Sequence, residues 1–178
     1  MLFRSNRRAD PSFSFPSVSF IANASSHDGL LPHLDELHLE GCSLGDKVTF
    51  SQEQDGSTSP KTEKRDILEL ISTSFPSLTI LNLSHNNLSS DALSEASLKK
   101  LLFSTDDGSI KGLKVLRLRG NRLTSLDRFD AIASLFKANR QVSEWKLEEL
   151  DVRDNDISKL PVNLGLLPLD VFLVDGNT

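Results

Sequence analysis

The sequence predicts an α/β solenoid, a stack of repeats with a parallel concave β-sheet and helices or loops on the convex side. Three observations predict it. One apolar template recurs along the chain, its strand portion alternates with period two, and the intervals between copies carry helical periodicity or polar connector sequence. The template runs leucine, two residues, leucine, one residue, leucine, two residues, asparagine or cysteine, one residue, leucine. Leu34, Leu37, Leu39, Cys42 and Leu44 fill it, as do Leu78, Leu81, Leu83, Asn86 and Leu88. Leu113, Leu116, Leu118, Asn121 and Leu123 form a third copy, and Leu147, Leu150, Val152, Asn155 and Ile157 a fourth. A fifth, Leu169, Phe172, Val174 and Asn177, stops before its last apolar position.

In each copy the second and third apolar positions are two residues apart, the spacing of a strand with alternate side chains turned inward. One such strand cannot bury its apolar face alone, whereas stacked copies share a continuous core. After the strand the chain turns away from the sheet and leaves backbone N–H and C=O groups without ladder partners. An asparagine amide both donates and accepts, so Asn86, Asn121, Asn155 and Asn177 are expected to form a structural column that satisfies them. Cys42 holds the same position as a small, weak donor, which accounts for it without a nucleophilic role.

Successive members of this column lie 44, 35, 34 and 22 residues apart. Only the last interval is near the minimum for one repeat; the others leave room for helices. Ile67, Leu70 and Ile71 predict one across Glu63–Thr73, and Leu93, Ala96, Leu98, Leu101 and Leu102 another across Asp91–Phe103, with Ser89 and Ser90 as caps. Phe129, Ile132, Ala133 and Phe136 predict a third across Asp127–Ala138. The segment 45–64 is low in hydrophobicity and rich in Ser, Gly and Pro, so it is expected to be a mobile insertion. Ser104–Ser109 reads as a shorter loop; its Asp106-Asp107-Gly108 lacks the alternating ligands of a calcium loop.

The first 30 residues are poorly defined. Phe15, Val18, Phe20 and Asn23 fit a degenerate upstream copy, expected as an edge strand, while a register through Val18 and Ile21 would instead put Asn23 at a core position. No polar or helical cap is visible at either end of the 31–178 repeat domain, so the chain is expected to be a piece of a longer protein.

From about Leu31 to Thr178 these copies resemble the leucine-rich-repeat superfamily. The connector Leu160-Pro161-Val162-Asn163-Leu164-Gly165-Leu166-Leu167 is similar to that of the short intracellular class. With Val174-Asp175-Gly176-Asn177 it is also similar to the last repeats of proteins akin to leucine-rich-repeat-containing protein 40. The resemblance implies a binding surface on the concave sheet.

Composition narrows the function classes. A net charge of −5 gives no argument for nucleic acid, and no run of about 18 apolar residues exists to span a membrane. A lone cysteine excludes an intrachain disulfide, and the N-terminus lacks the apolar stretch of a secretory signal. The expected compartment is therefore intracellular, cytoplasmic or nuclear, with the Asn-x-Ser triplets at Asn23, Asn82 and Asn87 unglycosylated. The four histidines have no zinc spacing, and no Gly-rich phosphate loop precedes a helix. No enzyme activity, cofactor or metal is expected.

The template sets the register of the concave face. The position between the second and third leucines runs His38, Asn82, Arg117, Asp151, Leu173, and the one after the third runs Glu40, Ser84, Arg119, Arg153, Asp175. The position after the first runs Asp35, Thr79, Lys114, Glu148, Asp170. In-register strands about 4.8 Å apart set Arg117 against Asp151, Lys114 against Glu148 and Arg153 against Asp175, leaving Arg119 as the main cation without a carboxylate. Asn82 is expected to be exposed. The expected function is a protein-interaction module or scaffold, with His38, Glu40, Asn82, Arg117, Arg119, Asp151, Arg153 and Leu173 as candidate partner-binding residues. Exposed Ile80, Val115, Val171 and Leu173 would aid docking; the alternative packing places these four partly under the neighbouring repeats. The alternative, which the resemblance implies, is a regulator of a small GTPase or phosphatase that uses the same surface, with Arg119 acting on a nucleotide in trans.

Overall fold

The structure, a computed structural model, describes residues 2–4, 33–52, 61–105, 108–138 and 143–178. Six short strands, β1 (Leu2–Arg4), β2 (Glu36–His38), β5 (Ile80–Asn82), β6 (Val115–Arg117), β7 (Glu149–Asp151) and β8 (Val171–Leu173), form one sheet in that order. All of its pairs are parallel. Leu37, Leu81, Leu116, Leu150 and Phe172 are partners across it, so the template's second apolar position is stacked without slippage. The ladder continues beyond the three-residue strands: the N–H groups of Leu39, Leu83, Leu118 and Val152 donate to Asn82, Arg117, Asp151 and Leu173 carbonyls at 2.7–2.8 Å.

Every apolar template position of the four full copies is buried, including Leu34, Leu81, Leu118 and Ile157. In the fifth copy Leu169, Phe172 and Val174 are only partly buried against that core. A convex layer closes the other side. It contains α1 (Ile67–Ser74), a 3₁₀ turn (Ser90–Ala92), α2 (Glu95–Leu102), α3 (Asp127–Ala133), α4 (Leu135–Ala138) and a second 3₁₀ turn (Leu164–Leu166). Leu68, Ile71, Leu98, Leu102, Phe129 and Ile132 turn inward from these helices, and α2 lies between α1 and α3.

The helices depart from their expected bounds for local reasons. The Asp91–Phe103 stretch is a 3₁₀ turn followed by a separate helix, because Ser94 accepts the Ser97 N–H at 3.2 Å and begins α2 there. Ser134 interrupts Asp127–Ala138, its hydroxyl donating to the Asp130 carbonyl at 2.8 Å. Residues 63–66 are strand rather than helix. Lys47–Gln52 (β3) and Lys61–Asp66 (β4) pair antiparallel, so the two flanks of the expected mobile excursion form a hairpin, and residues 53–60 lie outside the described residues. Pairing satisfies backbone groups that a polar loop would leave to water. Asp46 anchors the hairpin's base, its carbonyl accepting from Ile67 N–H and its carboxylate from Ser89 N–H and hydroxyl.

The strand beside β2 is Leu2–Arg4, and the upstream copy expected across Phe15–Asn23 lies outside the described residues. Between α2 and the fourth copy, Trp145 meets Phe103 and Phe136 edge-to-face at 5.5 and 5.4 Å, and its indole N–H donates to the Leu147 carbonyl.

Candidate functional site

The concave face depends on how each strand ends. Asn121 accepts the Leu88 N–H at 3.1 Å and donates to the carbonyls of Leu83 and Leu118, so one amide joins two repeats. Asn86 bridges Leu44 N–H, Leu39 O and Leu83 O; Asn155 bridges Leu123 N–H, Leu118 O and Val152 O. Asn177 does the same for Ile157 N–H, Val152 O and Val174 O. Cys42 is buried, with its thiol 3.7 Å from the Glu40 carbonyl.

One residue before each column member the backbone is left-handed, at Gly41, His85, Gly120, Asp154 and Gly176. Non-glycine residues hold this conformation at a cost, and the two found here each lean over a glycine of the next repeat. A Cβ on Gly120 would lie 2.5 Å from His85 Nδ1, and one on Gly176 would collide with Asp154 Oδ1. Each of these two pairs of turns sets a bulky residue against a bare one in the next repeat.

The outward row on the strands runs Glu36, Ile80, Val115, Glu149, Val171 in register. The next runs His38, Asn82, Arg117, Asp151, Leu173. Ile80, Val115 and Leu173 are half-buried, and Val171 is 40% exposed. Lys114 pairs with Glu148 at 3.3 Å, at the flank of the sheet. Beside it Lys111 pairs with Asp35 at 2.9 Å, and this hydrogen bond and charge hold the Asp35 carboxyl below its usual range.

The other expected pairs are corrected. Arg117 binds Glu149 at 2.8 Å, not Asp151, and Arg153 binds Asp151 at 2.8 Å, not Asp175. Asp151 is turned in: one carboxylate oxygen accepts from the Arg153 backbone N–H and Nε, the other from its Nη2. Burial pushes the Asp151 carboxyl up, but the Arg153 hydrogen bonds and charge outweigh that and hold it below its ordinary value. Arg119 is not without a carboxylate, since Asp154 meets its Nε at 2.6 Å. Asn82 is buried rather than exposed; its oxygen accepts the Ser84 N–H and its amide donates to Glu40 Oε2. Ser84 is buried as well.

Of the candidate partner-binding residues, then, His38, Glu40, Arg117, Arg119, Arg153 and Leu173 keep exposure on the face, while Asn82 and Asp151 brace it from beneath. The sequence reading missed Glu36 and Glu149 on the outward row and Asp154 in the turn. Period-two alternation from His38 and Asp151 identifies the first two. Asp154 required knowing that the left-handed turn throws its side chain across the next repeat.

Among the described residues no helix is long and apolar enough to cross a membrane, and no cluster of His, Cys, Asp or Glu could hold a metal ion. A family model described as Leucine Rich repeat matches residues 76–95, spanning β5 and Asn86, and residues 146–159, spanning β7 and Asn155. No curated protein and no solved structure matches the chain.

Proposed function

We propose that this leucine-rich-repeat solenoid is a protein-docking module or scaffold whose partner lies along the concave sheet. Leucine-rich repeats generally mediate protein–protein interaction. The observation that carries the reading is the outward row itself. Half-buried Ile80 and Val115 sit beside a fixed Arg117–Glu149 pair on strands whose register is set from beneath by the asparagine column. Apolar area flanked by oriented charge is the composition of a protein-docking surface. The alternative, a regulator acting on a small GTPase or phosphatase through Arg119, has less support. Asp154 already meets the Nε of that guanidinium and offsets its charge, which weakens it as a partner for a transferring phosphate.

Site-specific photocrosslinking tests the docking reading. A benzophenone amino acid at position 115, on the sheet, should give a discrete adduct in cell extract. The same group at position 99, on the convex helix α2, should not. Adducts from position 99 alone would move the interface to the helices.

A further inference from the structure

We infer that the concave face takes a basic, extended protein segment, with Glu36 and Glu40 receiving its lysine or arginine side chains. The inference rests on the docking reading and supplies the chemistry of the partner.

It comes from accounting for the described charged side chains along β2, β5, β6, β7 and β8. Lys111, Lys114, Arg117, Arg119 and Arg153 are each matched by a carboxylate of the chain itself, at Asp35, Glu148, Glu149, Asp154 and Asp151. An acidic partner would meet cations whose charge those carboxylates already offset. Glu36 and Glu40 differ. Among the described residues they meet no lysine or arginine, only His38 at 3.3 Å, His85 at 3.9 Å and the Asn82 amide at 3.2 Å. Their side chains are 40% and 50% exposed. Asp170 and Asp175, at the other end of the face, are also exposed; the charge of Asp175 acts on Arg153, which is already bonded to Asp151. The charge left unmatched is therefore negative.

Geometry supports the same occupant. Across the sheet one row reads Glu36, Ile80, Val115, Glu149 at the spacing of adjacent strands. At one side of the Ile80 and Val115 pair the chain's own Arg117 caps Glu149. At the other, a partner's lysine or arginine could lay its methylenes on Ile80 and Val115 and bring its charged head to Glu36. Asn82, buried below, holds the Glu40 carboxylate through its amide at 3.2 Å. A second copy of this chain is the wrong occupant, because a net charge of −5 opposes it.

The probe is a fluorescent twelve-residue peptide of alternating arginine and valine, with an alternating glutamate and valine peptide as its counterpart. Anisotropy titrations should detect binding of the basic peptide, weakened by salt. Glu36→Gln with Glu40→Gln should lower its affinity about fivefold or more, as for the loss of two partly exposed charge pairs. Glu95→Gln on α2 should leave it unchanged. Thermal melts of the variants exclude misfolding as the cause. Tighter binding of the acidic peptide, weakened by Arg117→Gln, would overturn the basic-partner inference while leaving the concave docking face standing. Binding weakened by Glu95→Gln and not by the Glu36 and Glu40 changes would overturn both. Absence of binding by the basic peptide, or loss that ignores all four positions, would overturn the inference as well.

Discussion

An asparagine in this chain contributes stability according to how many buried backbone groups depend on it. Asn121 serves Leu88 N–H and the carbonyls of Leu83, Leu118 and Arg119, in two different repeats. Its neighbour in type, Asn82, serves a single backbone group, Ser84 N–H, and otherwise reaches the exposed Glu40. An orphaned buried donor or acceptor costs about 1–3 kcal/mol, far more than a typical net hydrogen bond contributes. Asn121→Ala should therefore destabilise by about 2–3 kcal/mol and Asn82→Ala by about 1 kcal/mol. Urea unfolding of the two variants at one temperature measures both. An Asn82→Ala loss equal to that of Asn121→Ala would mean that bridging two repeats adds nothing, and the account of the column would fail. Both residues are buried, so burial alone does not separate them. The count of orphaned backbone groups does.

At the scale of the element, the turn after each strand governs how neighbouring repeats fit. Gly120 stands at a φ of +66°, with His85 of the preceding repeat where its Cβ would go. Gly120→Ala should therefore lose stability twice, through left-handed strain of about 1–2 kcal/mol and through the collision. Replacing His85 with glycine removes the collision and also relieves the left-handed strain at position 85, a gain that cancels in the cycle. In a double-mutant cycle, His85→Gly should recover part of the Gly120→Ala loss, with a coupling of about 0.5 kcal/mol or more. Strict additivity in thermal unfolding would rule out contact between the two turns. The alternation of Gly41, His85, Gly120, Asp154 and Gly176 is present in the sequence, yet its meaning was not legible there. Leucine spacing reports which side chains face inward, and so the strands, the parallel sheet and the buried apolar positions could be read directly. Which carboxylate an arginine selects depends on rotamers and turns. Arg117 passes over its register partner Asp151, because Asp151 is already engaged with Arg153. The hairpin Lys47–Asp66 escaped for another reason. Its strands are polar and pair with each other outside the main sheet, so no apolar template marks them.

For the whole molecule, a stack in which each repeat touches its neighbours implies that stability is transmitted step by step along the sheet. Leu81, Leu116 and Leu150 are fully buried between strands on both sides, while Phe172 in β8 is only partly covered. Local opening should therefore be easier at β8 than in the middle of the stack, and the amides that donate onto it should exchange before those of the interior. Those are Val152 N–H, bonded to Leu173 O, and Asp154 N–H, bonded to Asp175 O. Leu83 N–H and His85 N–H, which donate to Arg117 and Arg119 in the next repeat, belong to the interior and should exchange more slowly. Phe172→Ala removes the apolar anchor of β8 without touching those inner contacts. It should speed exchange at Val152 and Asp154 by about tenfold, the effect of about 1.4 kcal/mol on a local opening, and leave Leu83 and His85 nearly unchanged. Leu116→Ala, in the middle of the stack, should speed all four, because a central cavity costs about 2–5 kcal/mol and weakens the repeats on either side. Native-state hydrogen exchange followed by NMR resolves each amide. Equal acceleration of all four by Phe172→Ala would mean that the sheet opens only as one unit, and the stepwise description would have to be abandoned.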